Sequence, residues 1–509
     1  MSRPDTLVWL AGHELRLGWR DWLALMTAGH RRRGRTVAIA LVIFGVLMHL
    51  MAWSMVARYA KTGMMPDKPT LVVITGTLLL SWSLLLSQAM ESVTRAFYSR
   101  SDLDLILTSP VSPRKVFSVR IARIALAVAA LAMLLAAPFI NMLAFLGGAH
   151  WLAAYAVVAA MGLMAAALAV ALTVALFRLI GARRTRFVAQ IVAAVIGSAF
   201  VIGLQIAAIL SYGSLSRTAL LQSHWLVTRA PEPGNVLWLP ARAALGDPLA
   251  LIAVVVVSLA LLGAAIAIFS VRFGDHVIAA AGVAQTSVRQ RRWSKGFRRG
   301  APARVLRKKE WTLLIRDPWL MSQTLMQILY LLPPAVLLWR SFHSGTGALV
   351  VLVPVMVMAA GQLGGGLAWL SICGEDAPDL VASAPISARR ILWAKVEAVM
   401  GAIALIFAPL VGALAFASSR AALVAGIGIL VAAAAATAIQ LMFRVQAKRS
   451  QFRRRQVSSR IATFAEAFSS IAWAGTFALV AAGTGIALVP GIIALGILLG
   501  VWLIRPVSA

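Results

Sequence analysis

Residues 104–120 read DLILTSPVSPRKVFSVR, and residues 379–395 read DLVASAPISARRILWAK. Five of these 17 positions are identical: Asp104/Asp379, Leu105/Leu380, Pro110/Pro385, Ser112/Ser387 and Arg114/Arg389. Seven more are conservative, among them Thr108/Ser383, Lys115/Arg390 and Arg120/Lys395. Two other matches keep the same order. Glu14-x5-Arg20-Asp21-Trp22 returns as Glu310-x5-Arg316-Asp317-Pro318-Trp319, and the Ala182–Phe187 segment returns as Ala447–Phe452. Three collinear matches in polar segments indicate a duplicated unit, and a repeat of this size sets the architecture of the whole chain.

Around these segments the sequence is apolar. Of the 509 residues, 61% are hydrophobic and 13% charged, against about 45–50% and 25% in soluble domains. The apolar residues gather in runs of about 20, the length a helix needs to cross a bilayer. Spans are expected near 37–57, 71–90, 121–145, 152–177, 188–211 and 249–270, then near 323–340, 347–371, 394–418, 421–443, 461–482 and 485–504. The predicted fold is therefore all-α and integral to the membrane, with about 12 transmembrane helices in two parallel six-helix repeats. The first half covers 1–270, a basic cytoplasmic linker covers 271–303, and the second half covers 304–509. With the N-terminus inside, the inner segments hold 40 of the 48 Lys and Arg residues. That bias places both termini in the cytoplasm.

A net charge of +31 raises the question of nucleic acid, which the distribution answers. The basic residues lie in short connections between apolar runs, where they meet anionic lipid. No stripe of Lys and Arg interleaved with stacking aromatics is present, so membrane lipids are expected partners and nucleic acid is not. Cys373 is the single cysteine and the seven His residues are scattered, so no disulfide framework or metal site is expected. The N-terminus is polar and amphipathic, and no cleaved signal peptide is expected.

Each unit opens with a segment too polar to span. Over Leu7–Trp22 the apolar residues recur at helical spacing, with Trp9, Trp19 and Trp22 suited to headgroup depth. The segment Glu310–Leu320, preceded by Arg304, Arg307, Lys308 and Lys309, reads the same way. The candidate residues of these amphipathic openings are Glu14, Arg20 and Asp21, and Glu310, Arg316 and Asp317. In the duplicated loop, Asp102, Asp104 and Leu105 begin a short helix in the first copy, as do Glu375, Asp376, Asp379 and Leu380 in the second. Acidic residues in a first turn suit the positive helix end. Pro110 and Pro385 stop it. Ser112 and Ser387 then cap the next helix, Pro113 suits its first position, and Arg114 or Arg389 meets the inner leaflet. The expected product is a short, stiff helix held just below the membrane once per half, which suits a lever better than a plain turn.

This pattern resembles the permeases of type-2 ATP-binding-cassette exporters. The residues that carry the resemblance are the Glu-x5-Arg-Asp openings and the DLILTSPVSPRK and DLVASAPISARR loops, and with the six-span halves they cover most of the chain. The resemblance implies an amphipathic elbow helix at the head of each half and a coupling helix between its second and third spans. The coupling helix would dock on a separate ATPase, with two copies expected. It implies an exporter working by alternating access in the inner membrane of a bacterium, with an unidentified amphipathic substrate. Many members carry one half per chain, and this chain departs by fusing two. A phosphate-cradling G-x-x-x-x-G-K-[ST] loop is absent, since no Gly-Lys pair occurs. This chain is thus not expected to be an enzyme or to bind a cofactor itself; ATP and Mg belong on the partner.

Two alternatives stay open. An ion-coupled secondary transporter needs ionisable groups deep in the membrane, yet only Glu397 and Glu466 fall inside the expected spans, each within about two turns of the cytoplasmic end. A membrane-embedded lipid-modifying enzyme needs a cluster for acid–base or metal chemistry, and the acidic clusters of the two loops share only one aligned carboxylate. Gln88, Asn141, Gln205, Gln327, Gln362 and Gln440 lie within spans, where interhelical hydrogen bonding is their ordinary use. Residues 212–248, rich in Trp and Pro, are expected outside as a cap or re-entrant gate.

Overall fold

In lipid every backbone N–H and C=O has to be satisfied within the protein, which a helix does within its own segment, and among the described residues all regular structure is helical. The computed structural model describes residues 6–27, 34–61, 67–98, 112–212, 220–271, 301–316, 347–373, 383–442 and 460–504, with isolated positions at 381 and between 325 and 336. The chain divides into two compact units, Met1–Leu204 with Ser216–Arg291, and Gln205–Leu215 with Arg292–Ala509.

The helices of the first stretch are α1 (Leu7–Thr27), α2 (Gly34–Lys61), α3 (Lys68–Tyr98), α4 (Pro113–Gly147), α5 (Ala153–Tyr212), the short α6 (His224–Arg229) and α7 (Leu239–Ala244), and α8 (Pro248–Ser270). The second stretch supplies α9 (Pro302–Arg316), α10 (Gly347–Cys373), α11 (Ala388–Ala417), α12 (Ser419–Met442), α13 (Arg460–Ala481) and α14 (Leu488–Ile504). Ten helical segments among the described residues are long and apolar enough to cross a bilayer. The protein is an all-helical, multi-pass membrane protein. Each of the ten coincides with an expected span. The run expected at 37–57 lies in α2, whose described apolar part is Gly45–Ala57, and the run at 323–340 lies mostly outside the described residues.

The helices outrun the apolar stretches that announce them. α3 continues to Tyr98, which brings Glu91 inside a helix, although the sequence reading put only Glu397 and Glu466 there. A helix ends where its backbone geometry breaks, not where hydropathy falls. The same distinction applies between the fourth and fifth runs. Where a ten-residue connection was expected at 178–187, helix continues through Ala182–Phe187 and is interrupted only at Gly181, with φ 74° and ψ 162°. That backbone conformation favours glycine. Thr185, fully buried, donates its hydroxyl to the Gly181 carbonyl at 2.8 Å and ties the two arms.

The cores are built from small residues, as membrane helices require for close approach. In the first unit Ala125, Val128 and Ala132 of α4 pack with Ala160, Ala165, Ala169 and Val170 of α5 and Ala89, Met90 and Val93 of α3. Gly162 lies so close to α4 that a Cβ there would stand 2.7 Å from the Ala129 Cα. In the second unit α10, α12 and α13 form the centre, with Val353, Met356 and Ala360 against Ile429, Ala432 and Ala433. Pro138, Pro354 and Pro409 sit inside α4, α10 and α11.

Residues 220–247 of the first unit form a compact cap over the start of α3. Trp238 is buried against Leu71, Val72 and Leu221, and its indole N–H donates to the Pro231 and Glu232 carbonyls at 3.2 and 3.1 Å. Lys68 pairs with Glu232 at 2.7 Å. Asp247 caps α8 by accepting from the Leu249 and Ala250 amides and pairs with Arg242 at 2.5 Å. The Ala250 amide, then the Arg242 guanidinium, hold its carboxyl below the usual carboxylate range.

Candidate functional site

The helices that follow the duplicated loops begin alike. Ser112 precedes α4 with φ −62° and ψ 136°, and Ser387 precedes α11 with φ −62° and ψ 137°. Both occupy the expected capping positions, but neither hydroxyl bonds a first-turn amide. Pro113 stands at the first helical position of α4, where its missing N–H leaves no bond unmade. Pro385 is exposed in the non-helical bend ahead of Ser387. Arg114 and Arg389 are exposed in the first turns.

Two turns further on, each of these helices is pinned to the amphipathic helix that opens its unit. In the first unit the Glu14 carboxylate of α1 lies 3.8 Å from Arg120 Nε and 3.2 Å from Arg123 Nε. The spacing of three puts both guanidiniums on one face of α4. In the second unit both oxygens of the Glu310 carboxylate of α9 accept from Lys395 Nζ at 3.2 Å, and Oε1 also accepts from Lys309 Nζ at 3.3 Å. Lys395 also donates to the Ser371 carbonyl of α10, so one ammonium joins three helices. Glu14 and Glu310 are the matched glutamates of the two openings, and Arg120 and Lys395 are the matched last residues of the two loops. The duplicated positions therefore make the duplicated contact, each within its own unit.

The two pairs differ in burial. The difference lies in the glutamates: the Glu310 side chain is 0% exposed and Glu14 16%, while the matched bases are alike, Lys395 at 12% and Arg120 at 10%, with Arg123 more open at 38%. Fully enclosed charges are tolerated only when paired and hydrogen-bonded, and Glu310 meets that condition with two ammonium groups. The sequence reading singled out Glu14 and Glu310 but did not join them to Arg120 and Lys395. The signal was present in the alignment of the two copies, which matches acid with acid and base with base.

Polar contacts also mark the far end of α4. His49 of α2 has Nδ1 2.7 Å from the Gly45 carbonyl, so Nδ1 carries the proton and Nε2 accepts. Asn141 Nδ2 supplies that bond at 3.1 Å, and Asn141 Oδ1 accepts from the Tyr155 hydroxyl of α5 at 2.7 Å. The chain Tyr155, Asn141, His49, Gly45 thus runs in one direction across α5, α4 and α2. Asn141 lies roughly 31 Å beyond Arg120 at ~1.5 Å per helical residue, close to the ~30 Å thickness of the hydrocarbon layer. The two polar clamps thus lie toward opposite ends of the apolar helix Arg114–Gly147, each six residues inside it. In the second unit, buried Glu466 of α13 lies against Gly365 of α10 and accepts from Gln440 Nε2 of α12. Asn141 and Gln440 both serve as interhelical bridges. Glu397, by contrast, is half exposed and paired with Arg307 at 2.5 Å.

The remaining expected site residues are distributed as follows. Arg20 is exposed on α1. Asp21 and Arg316 belong to α1 and α9, with side chains outside the described residues, as Asp317 is altogether. Asp102, Asp104, Leu105, Pro110, Asp379 and Leu380 also lie outside them. Among the described residues no three His, Cys, Asp or Glu side chains gather in a way that could hold a metal ion. No protein-family model, curated protein or solved structure matches the chain.

Proposed function

We propose that this chain is the permease of an ATP-driven exporter of the type-2 ATP-binding-cassette kind. In this reading it carries both transmembrane halves, twelve spans in two parallel six-span repeats, with both termini on the cytoplasmic side of a bacterial inner membrane. A separate ATPase, in two copies, binds ATP and Mg and grips the loops around 102–110 and 376–385. The observation that carries the reading is the paired clamp, Glu14 to Arg120 and Glu310 to Lys395. It sits two turns above the root of each duplicated loop. A push on either loop enters the following span at its first residue, and the clamp obliges the elbow helix to move with that span. Closure of the two motor subunits then draws the loops together and opens the pathway outward.

Replacing Pro110 and Pro385 with alanine tests this. Each loop helix would run on into the next turn, softening the lever. The expected outcome is normal membrane insertion with ATP hydrolysis by the co-purified ATPase no longer linked to transport. Unchanged transport, or a purified chain that retains no ATPase, would overturn the reading.

One observation favours a second reading, an ion-coupled secondary transporter. Glu466 is a buried carboxyl group inside a span, and such groups commonly serve ion pathways. Glu466→Gln separates the two. It would abolish transport in an ion-driven carrier and spare ATP-linked export.

A further inference from the structure

We propose that the groove between the elbow helix and the third span of the second unit is a binding site for the headgroup of an anionic phospholipid of the adjacent leaflet. The groove has a volume of about 320 Å³ between α9 and the first turns of α11, near the lower end for small-molecule sites, ~300 Å³. That is room for a headgroup and not for a whole two-chain lipid. Its charged lining is three guanidiniums, Arg307, Arg389 and Arg390, against the single carboxylate of Glu397. Glu397 is engaged by Arg307 at 2.5 Å. Arg389 and Arg390 are exposed in the first turn of α11, beside the positive end of that helix. The Ser387 hydroxyl, also in the lining, makes no capping bond and is placed to donate to a phosphate oxygen.

The rest of the groove is apolar. Leu306 and Ala394 are buried along it, and Trp393 stands 53% exposed beside the arginines. An indole next to a cationic cluster, where an amphipathic helix meets a span, is the arrangement expected at the headgroup level of a membrane. A free phosphate would use the arginines and leave Trp393 and the apolar wall bare. A glycerophospholipid uses both, and so it is the occupant that the lining favours.

The first unit provides an internal control. By the alignment of the two copies, Arg114 and Lys115 match Arg389 and Arg390, but Ala11 stands at the place of Arg307, Ser118 at that of Trp393 and Ala122 at that of Glu397. The helix-end charges are common to both halves, whereas the groove chemistry belongs to the second alone. This inference does not depend on an ATPase partner, and it gives Ser387 and Arg389 a ligand of their own beside the motor loop.

The test is photo-cross-linking of the purified full chain in detergent with a photoactivatable dioctanoyl phosphatidylglycerol, with the labelled peptides mapped by mass spectrometry. Dioctanoyl phosphatidylcholine and glycerol 3-phosphate serve as competitors. Labelling of the α9 and α11 peptides should be displaced by unlabelled phosphatidylglycerol, weakly by phosphatidylcholine, and not by glycerol 3-phosphate at the same concentration. Arg389→Gln with Arg390→Gln should weaken it about 30-fold, roughly fivefold per charge. Arg114→Gln with Lys115→Gln, which removes equal charge from the other unit, should leave it within about twofold. Trp393→Ala should weaken the lipid on a chain whose α11 charges are intact. Equal losses in the two double variants would reduce the effect to general surface charge. Full displacement by glycerol 3-phosphate would make this a site for a soluble anion, and unchanged labelling in Arg389→Gln/Arg390→Gln would exclude the site. Any of these three results overturns the proposal.

Discussion

Separating Glu310 from Lys395 should be among the most destabilising polar substitutions in the second unit. At 3.2 Å and an effective dielectric near 20, the pair attracts by about 5 kcal/mol before desolvation is counted. Because the Glu310 side chain is 0% exposed, removing the ammonium strands a buried charge, and such losses run to about 3–5 kcal/mol. Lys309 remains at 3.3 Å, so Lys395→Met should fall at the lower end, about 3 kcal/mol. Glu310→Gln leaves Lys395 its bond to the Ser371 carbonyl and should cost somewhat less. The double variant should be less damaged than the two single losses added together, by a coupling of about 2 kcal/mol. The matched glutamate of the first unit is 16% exposed and keeps some contact with solvent, so Glu14→Gln should cost less than the loss at Glu310, about 1–2 kcal/mol. The assay is equilibrium unfolding of the full chain in mixed micelles, repeated at high salt. Salt should weaken the contribution of Glu14 and leave that of Glu310 nearly unchanged. Additivity within about 0.5 kcal/mol, or equal losses at Glu14 and Glu310, would refute the reasoning.

Three further outcomes are expected. Asn141→Leu removes the centre of the Tyr155–Asn141–His49 chain and should cost about 1–2 kcal/mol, two interhelical bonds at ~0.6 each plus an unmet histidine nitrogen; unfolding in micelles reads it, and His49→Leu in the same background should add little. Gly162→Leu should block the α4–α5 approach, where even a Cβ would reach 2.7 Å from backbone, and abolish the monodisperse folded species on size-exclusion chromatography. Asp247→Ala should cost about 1 kcal/mol through the lost cap of α8. Because the carboxyl is held below its usual 3.8, that contribution is constant from neutral pH down to this value. It disappears as pH falls further and the folded-state carboxyl takes up its proton, so the gap between wild type and variant should close in acid.

The helices were legible from hydropathy because an apolar run of about 20 residues has few other fates. Their ends were less so. Helix geometry carries α3 past Glu91, and Gly181 replaces a loop with a break of one residue, because backbone hydrogen bonding is indifferent to the change from apolar to polar side chains. The starts of α4 and α11 were readable from Ser112, Pro113 and Ser387, since proline and serine act locally. The clamps were not read, although both partners were in view. Glu14 and Arg120 are 106 positions apart and Glu310 and Lys395 are 85 apart, and no local rule connects them. The groove by α9 was hidden for the same reason, since Arg307 and Trp393 meet only once the elbow has been laid on the span.

The two polar clamps on α4 fix more than its depth. Arg120 and Asn141 are 21 residues apart, which at ~100° per residue leaves them only about 60° apart around the axis. A rod held at both ends on neighbouring sides resists spinning, since rotation about its axis would displace both grips together. The two contacts therefore set the rotation of α4 as well as its depth, and hold the α2 and α5 residues bonded to Asn141 in a fixed register with the α1 carboxylate at Arg120.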